Sequence, residues 1–193
     1  MNDKSSDNPR TERMRATVLR AGCELLATAG GDAVTALRIS EQTGVARSAI
    51  YRHWPDQSAL LLDVIDRVVT PRAKTRTTGH LEADLTSALS NLRARMRKRP
   101  FRKVFGTLLD HANRDDRFVE PQRRFVQGVL TGLADVLRHA TENGELPATL
   151  AIDSACARLA GPMLTQHVLL RIEISDELIR DTVAQFIERE SKV

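Results

Sequence analysis

Hydrogen-bond donors cluster in residues 43–54, which read TGVARSAIYRHW and contain the only tyrosine and the only tryptophan of the chain. Arginine forms bidentate pairs with guanine, while serine, tyrosine and histidine donate to phosphate oxygens. These side-chain types therefore favour recognition of a polyanion over covalent chemistry. The donors are Arg47, Ser48, Tyr51, Arg52 and His53.

The spacing predicts that most of these donors share one face of a helix. At 100° per residue, a polar set and an apolar set point in opposite directions. The polar set is Ser48, Tyr51 and Arg52 with Arg47 beside them, and the apolar set is Ala46, Ile50 and Trp54. Taken alone, the polar set is equally consistent with an ordinary solvated face.

Two short helices and a glycine turn must position this face. Thr35 is suited to cap a helix over residues 36–43, Gly44 turns the chain, and the second helix covers residues 47–53. This arrangement is a helix-turn-helix, and a DNA major groove about 12 Å wide admits one helix. The turn and the apolar back face favour DNA binding over a solvated face.

Helical periodicity continues along the chain and predicts an all-α fold of about nine helices. Aromatic residues make up only 4% of the sequence, so the core must consist mainly of Leu, Ala, Val and Ile. Asp56 is expected to cap the fourth helix. The other predicted helices cover residues 11–29, 57–69, 80–99, 101–112, 118–141, 152–170 and 176–189.

A polar joint at residues 71–79 predicts a domain boundary. We expect a disordered N-terminal tail over residues 1–10. A helix-turn-helix DNA-binding domain with a linking fourth helix should cover residues 11–70. A helical effector-binding and dimerisation domain should cover residues 71–193.

Bulk charge does not explain DNA binding by the first part of the chain. The net charge is +4, but residues 1–70 carry nine basic and nine acidic side chains. Binding must depend on where the charges lie on the surface. The same balance disfavours a protein that coats DNA without sequence specificity.

The remaining composition excludes several classes of protein. Cys23 and Cys156 lie far apart in apolar helical patterns, which predicts buried thiols without a disulfide or a zinc site. No apolar run is long enough for a membrane span, and the polar N-terminus lacks a signal-peptide pattern. We expect a cytoplasmic protein without a cofactor or a catalytic site.

Residues 15–65 closely resemble the N-terminal DNA-binding domain of the tetracycline-repressor (TetR) family of bacterial transcriptional regulators. The resemblance covers about a quarter of the chain, and the spacing of GV and IYRHW makes it specific. The matching positions are Arg15, Val18, Leu19, Ala21, Leu25, Leu26, Gly30, Thr35, Ile39, Thr43, Gly44, Val45, the block 50–54, Leu60 and Leu61.

The resemblance implies a set of DNA contacts. Thr35 would bind phosphate, and Arg38 and Gln57 belong to the same set of DNA contacts. Base edges would be read by Arg47, Ser48 and Ala49. The DNA backbone would be held by Tyr51 and His53, with a variable contact from Arg52. For His53, a hydrogen bond inside the domain is the alternative.

The sequence departs from the family pattern near the fourth helix. Gln57 stands where the family often has a phosphate-binding lysine, and the acidic Asp56 precedes it. We therefore expect weaker or less salt-dependent DNA binding than is usual, because each lost phosphate contact lowers the salt slope by about one unit. Trp54 replaces the common phenylalanine and is expected in the core.

Residues 71–193 are similar to family members in layout, which implies a homodimer with a small-molecule pocket. Each candidate pocket residue has core packing as its alternative. Expected pocket residues are Met96, Phe105, Leu108, His111, Phe125, Met163 and His167. Expected dimer contacts on the last two helices are Leu159, Met163, Val168, Leu178, Val183 and Phe186. The basic run 93–103 is either a solvated helix end or a site for flanking DNA or an anionic effector.

These observations predict a homodimeric transcriptional repressor that a small-molecule effector releases from DNA. One recognition helix contacts only a few base pairs. Two recognition helices related by a two-fold axis should therefore read a palindrome with half-sites about 34–36 Å apart. The alternative is a helical carrier or enzyme that has lost DNA-dependent regulation.

Overall fold

The computed structural model describes residues 9–68, 77–98 and 100–190. Within these ranges the chain forms nine α-helices and no strand, which confirms the predicted all-α class. The helices are α1 (Pro9–Ala29), α2 (Ala36–Thr43), α3 (Arg47–His53), α4 (Gln57–Val68), α5 (Leu81–Met96), α6 (Pro100–Ala112), α7 (Val119–Glu142), α8 (Ile152–Leu164) and α9 (Asp176–Glu190). None of these helices is long and apolar enough to cross a lipid bilayer.

Several helix ends differ from prediction. Pro9 and Arg10, expected in a disordered tail, begin α1, because proline fits the first turn of a helix. Residues 165–170, expected to continue α8, form a π-helical segment that ends at Arg171 with a left-handed φ of 58°. The predictions for residues 1–8, Val69 and Arg99, and most of the joint at 71–79, lie outside the described residues.

The chain forms two compact units whose division differs from the predicted one. Unit 1 comprises the described residues up to 68 together with 100–123, and unit 2 comprises 77–98 together with 124–190. Residues 100–123, expected in the C-terminal domain, therefore cluster with the N-terminal helices. The predicted domain boundaries stay a prediction.

In unit 1, α1 packs against both α4 and α6. Gly22 allows a close approach to α4, since a Cβ there would lie 2.5 Å from Val64 Cγ2. At the end of α1, the Gly31 N–H donates to Thr107 Oγ1 on α6 at 3.0 Å. The interior of this unit is mainly aliphatic, with Val18, Leu26, Ile39 and Leu61 fully buried, and it also contains the aromatic side chains of Trp54 and Phe118.

In unit 2, α9 packs against α5 and α8 around a mainly aliphatic core that includes Phe186. Asp84 on α5 is a buried carboxylate that accepts hydrogen bonds from the backbone N–H groups of Thr78 and Gly79 and from the Thr78 hydroxyl. Burial would raise the pKa of Asp84, but these hydrogen bonds outweigh it and lower the pKa. The carboxylate therefore stays charged and ties the chain before α5 to its first turn.

Candidate nucleic-acid interface

The turn before α3 is built by local hydrogen bonds. Gly44 adopts a left-handed φ of 72° and donates its N–H to Ser40 O at 2.9 Å, which ends α2. The Thr43 hydroxyl donates to Ile39 O at 2.6 Å and accepts from the Val45 N–H at 3.3 Å. These bonds direct the chain into α3 without help from distant residues.

Helix α3 buries one side and exposes the other. Ile50 and Trp54 are 0% and 3% exposed. The polar side chains Arg47, Ser48, Tyr51 and Arg52 are all exposed. Ala46, expected on the apolar side, is exposed because it is the residue that precedes the first turn of α3.

The remaining predicted DNA contacts surround this face. Ala49 and His53 are half-buried, and the His53 ring lies edge-on to Trp54 at 5.9 Å between centroids. Thr35 caps α2 as expected, with Oγ1 accepting from the Arg38 N–H at 3.2 Å. Its hydroxyl hydrogen remains available as a donor. The side chains of Arg38 and Gln57 are exposed.

Residues of two other helices contact the Trp54 side chain. Its indole Nε1–H donates to Asp63 Oδ2 on α4 at 2.8 Å. The Arg15 guanidinium of α1 lies 3.6 Å from the same oxygen and 5.6 Å from the centre of the indole ring. The burial of Trp54 was expected from its position in the sequence. Its partner Asp63 was not, because an acidic residue on a helix carries no sign of its partner.

The start of α4 carries an ion-pair network that the sequence analysis also missed. Asp56 Oδ1 caps α4 by accepting from the Ala59 N–H at 2.7 Å, as predicted. Its other oxygen accepts from Arg117 Nη1 at 3.0 Å, and Arg117 also pairs with Asp115. The Ala59 N–H and Arg117 together lower the pKa of Asp56. A separation of 61 residues hides this contact from local sequence patterns.

The predicted effector-pocket residues fall in both units. Phe105, Leu108 and His111 belong to unit 1, and the other four belong to unit 2. In unit 2, a ring nitrogen of His167 lies 2.9 Å from Met96 O. The near-complete burial of Met96, Leu108 and Met163 fits the alternative of core packing.

Each unit also has an open cleft. The cleft in unit 1 has a volume of about 260 Å³, and of the predicted pocket residues only His111 lines it. The groove in unit 2 has a volume of about 610 Å³ and lies along α5 near Arg180, without any predicted pocket residue.

Four of the predicted dimer contacts are already buried within the single chain. Leu159, Met163, Val183 and Phe186 are at most 5% exposed in the single chain, where they form the core of unit 2. Helical periodicity identified their apolar faces but not what covers them. Val168 and Leu178 are half-buried. The large apolar side chains exposed near the end of α8 are instead Leu169, Leu170 and Ile172.

Arginines of the basic run in unit 2 make contacts within that unit. Arg93 pairs with Asp176 at 2.7 Å and also donates to Ile174 O. Arg95 donates to Gly128 O at 2.9 Å, and Arg97 pairs with Glu173. These contacts favour a structural role for residues 93–97.

The fold and the exposed face of α3 define a helix-turn-helix DNA-binding protein. Residues 18–64 match the model for the bacterial regulatory proteins of the tetR family, and residues 75–186 match the model for the tetracyclin repressor-like C-terminal domain. The chain therefore belongs to the TetR family of transcriptional regulators.

Individual relatives agree with this assignment. The chain is 28% identical over 176 residues to the HTH-type transcriptional regulator YdeS of Bacillus subtilis (strain 168), across 91% of this chain and 88% of that protein. A TetR regulator from Agrobacterium tumefaciens shares the fold with a TM-score of 0.68 at 16% identity, over 96% of this chain and 100% of that one. A regulator from Saccharomonospora viridis, solved with choline, has a TM-score of 0.65 at 17% identity, over 92% and 96% of the two chains.

Proposed function

We propose that the protein is a homodimeric repressor that binds a palindromic operator through α3 and is released by a small-molecule effector. The exposed donor face of α3, opposite the buried Ile50 and Trp54, is the observation that carries this proposal. Arg47 and Ser48 in the first turn would read base edges with Ala49, and Tyr51 and His53 would hold the backbone.

The electrostatics of α3 suit DNA binding, although residues 1–70 carry equal numbers of basic and acidic side chains. The first-turn N–H groups and the helix dipole place partial positive charge at Arg47. Tyr51 is 53% exposed, so its side chain is open to solvent. Additional phosphate contacts would come from Thr35, Arg38, Arg52 and Gln57.

Dimerisation is part of the proposal because one seven-residue helix reads too few base pairs for an operator. We place the interface at the end of unit 2 that carries Leu169, Leu170 and Ile172, which are 73%, 58% and 53% exposed. Apolar side chains of this size at such exposure are typical of a surface that a partner covers. A homodimer would carry two copies of α3, one for each half-site of the operator.

The effector is proposed to bind in unit 2. Among the predicted pocket residues of unit 2, His167 is the polar one, and a pocket with few polar groups suits a largely apolar effector. The effector must bind one arrangement of the helices more tightly than another. A ligand with equal affinity for two arrangements does not change their populations. A regulator of this kind acts on bacterial DNA in the cytoplasm.

Selection of bound DNA from a random pool tests the proposal. A repeated palindrome with half-sites one helical turn or a multiple apart is the expected result. Arg47→Ala should lower affinity for the selected site by about 1–3 kcal/mol. Arg189→Ala, which removes an exposed arginine of α9, is the control.

The helical carrier or enzyme predicts a different outcome. It would enrich no sequence from the pool, and Arg47→Ala would leave the residual DNA affinity unchanged.

A further inference from the structure

The C-terminal end of α3, the proposed recognition helix, is held by a polar contact to α4. The Trp54 side chain is almost fully buried, yet its indole N–H meets Asp63 Oδ2 at 2.8 Å. The Trp54 backbone N–H donates to Ile50 O at 2.9 Å and closes the last turn of α3. The same residue therefore belongs to α3 through its backbone and to α4 through its side chain.

This contact does more than fill space. A phenylalanine would also fill the interior at this position, but it has no donor for Asp63. A buried indole N–H without a partner is costly, so the hydrogen bond selects one orientation of the ring. Arg15 strengthens that selection, because its guanidinium lies over the indole and beside the carboxylate.

The orientation of α3 determines where its donors point. Side-chain tips of a helix lie about 5–6 Å from its axis, so a roll of about 20° moves them by about 2 Å. That displacement is enough to break a hydrogen bond to a base or phosphate. Ile50 resists such a roll only by apolar packing, whereas the indole–carboxylate bond is directional.

We infer that Asp63 is a positioning residue for DNA reading, which acts by holding the Trp54 indole and thereby sets the orientation of α3. This inference deepens the proposed function and rests on it. Asp63 itself touches no DNA in this role. Its effect on operator affinity must therefore depend on the presence of the indole N–H.

A double-mutant cycle tests that dependence. We compare Asp63→Ala, Trp54→Phe and the double variant for affinity to the selected operator and to unrelated DNA. Asp63→Ala should weaken operator binding about fivefold to thirtyfold. Its effect on unrelated DNA should be small. In the Trp54→Phe background, Asp63→Ala should change operator binding by less than about twofold.

Two further variants separate positioning from stability. Asp63→Asn keeps an acceptor oxygen for the indole and should retain operator affinity within about threefold. Asp66→Ala removes a carboxylate from an exposed position of the same helix and should leave the ratio of operator to unrelated DNA affinity unchanged. Thermal unfolding of every variant reports any loss of stability separately.

The single tryptophan gives a direct view of the contact. The indole N–H resonance should shift and exchange faster in Asp63→Ala and remain close to its original position in Asp63→Asn. Additive losses in the cycle, equal losses on operator and unrelated DNA, or an unchanged indole resonance in Asp63→Ala would each overturn the inference. Failure of the unmodified protein to select any DNA would instead reject the proposed function, and the inference with it.

Discussion

Thr107 Oγ1 accepts a hydrogen bond from the Gly31 N–H at 3.0 Å, although 76 residues separate the two in the chain. The contact joins α6 to the turn that follows α1. Glycine is required there because a Cβ would lie 2.4 Å from Thr107 Cγ2. The pair is one of the contacts that hold α6 against the N-terminal helices in unit 1.

Gly31→Ala should therefore destabilise unit 1 by about 1–3 kcal/mol, because the added methyl group overpacks the contact. Replacement of Thr107 by serine removes Cγ2 and should restore part of the loss. Urea unfolding of the single and double variants measures both effects. Gly106→Ala is the control, since a Cβ on that residue of α6 meets no atom within 4 Å and should be neutral or stabilising.

Gln57 replaces the family's lysine at the start of α4, and its part in DNA binding can be tested through the salt dependence of operator affinity. Gln57→Lys should replace a neutral phosphate contact with an ionic one and steepen the plot of log affinity against log salt by about 0.9. Operator binding measured over a range of salt concentrations checks this. Gln185→Lys adds the same charge to an exposed position of α9 and should leave the slope unchanged. If the two variants gave equal slopes of log affinity against log salt, residue 57 would not be a DNA contact.

The Arg117 network should affect stability in acid. Hydrogen bonds from the Arg117 side chain are the main reason that the pKa of Asp115 falls from 3.8 to about 2. A carboxyl group whose pKa is lower in the folded state stabilises fully above its unfolded pKa. That stabilisation disappears as the pH falls from about 4 towards 2.

Arg117→Gln should raise the pKa of Asp115 towards 3.8 and remove this part of the acid dependence. Carboxyl chemical shifts followed during a pH titration measure the change. Arg123→Gln, which removes the partner of Glu120, should leave the pKa of Asp115 unaltered. An Asp115 pKa that stays near 2 in Arg117→Gln would contradict the assignment.

The two thiols should differ in reactivity. Burial raises the pKa of Cys156 to about 11, and the nearby Asp153 adds to the shift. Cys23 is half-buried, and its pKa is also raised mainly by burial. Mass spectrometry after iodoacetamide treatment at pH 8 should show Cys23 modified first and Cys156 modified only on unfolding, because the thiolate is the reactive form. Rapid labelling of Cys156 in the folded protein would disprove this order.

The proposed dimer surface can be tested by sedimentation. Leu169→Ser should raise the dimer dissociation constant by about tenfold or more, because each subunit loses a buried leucine side chain from the interface. Leu109→Ser removes an exposed leucine from α6 in unit 1 and should leave the association unchanged. If the Leu169 variant remains as dimeric as the unmodified protein, the interface lies elsewhere.

The sequence alone predicted what local interactions decide. The Thr35 and Asp56 caps, the Gly44 turn and the buried Ile50 of α3 all depend on residues within a few positions of one another. Backbone conformation, capping and helical periodicity act over that distance, so the helix-turn-helix and its exposed donors could be recognised before any tertiary contact was known.

Tertiary structure decided which apolar faces are covered and which polar groups meet. Periodicity marks Leu159 and Val183 as apolar, but only the packing of unit 2 shows that they are buried within the single chain. The bonds from Trp54 to Asp63 and from Arg117 to Asp56 likewise depend on how the helices pack together. A residue's type limits the partners it can accept, whereas the three-dimensional arrangement of the helices selects one of them.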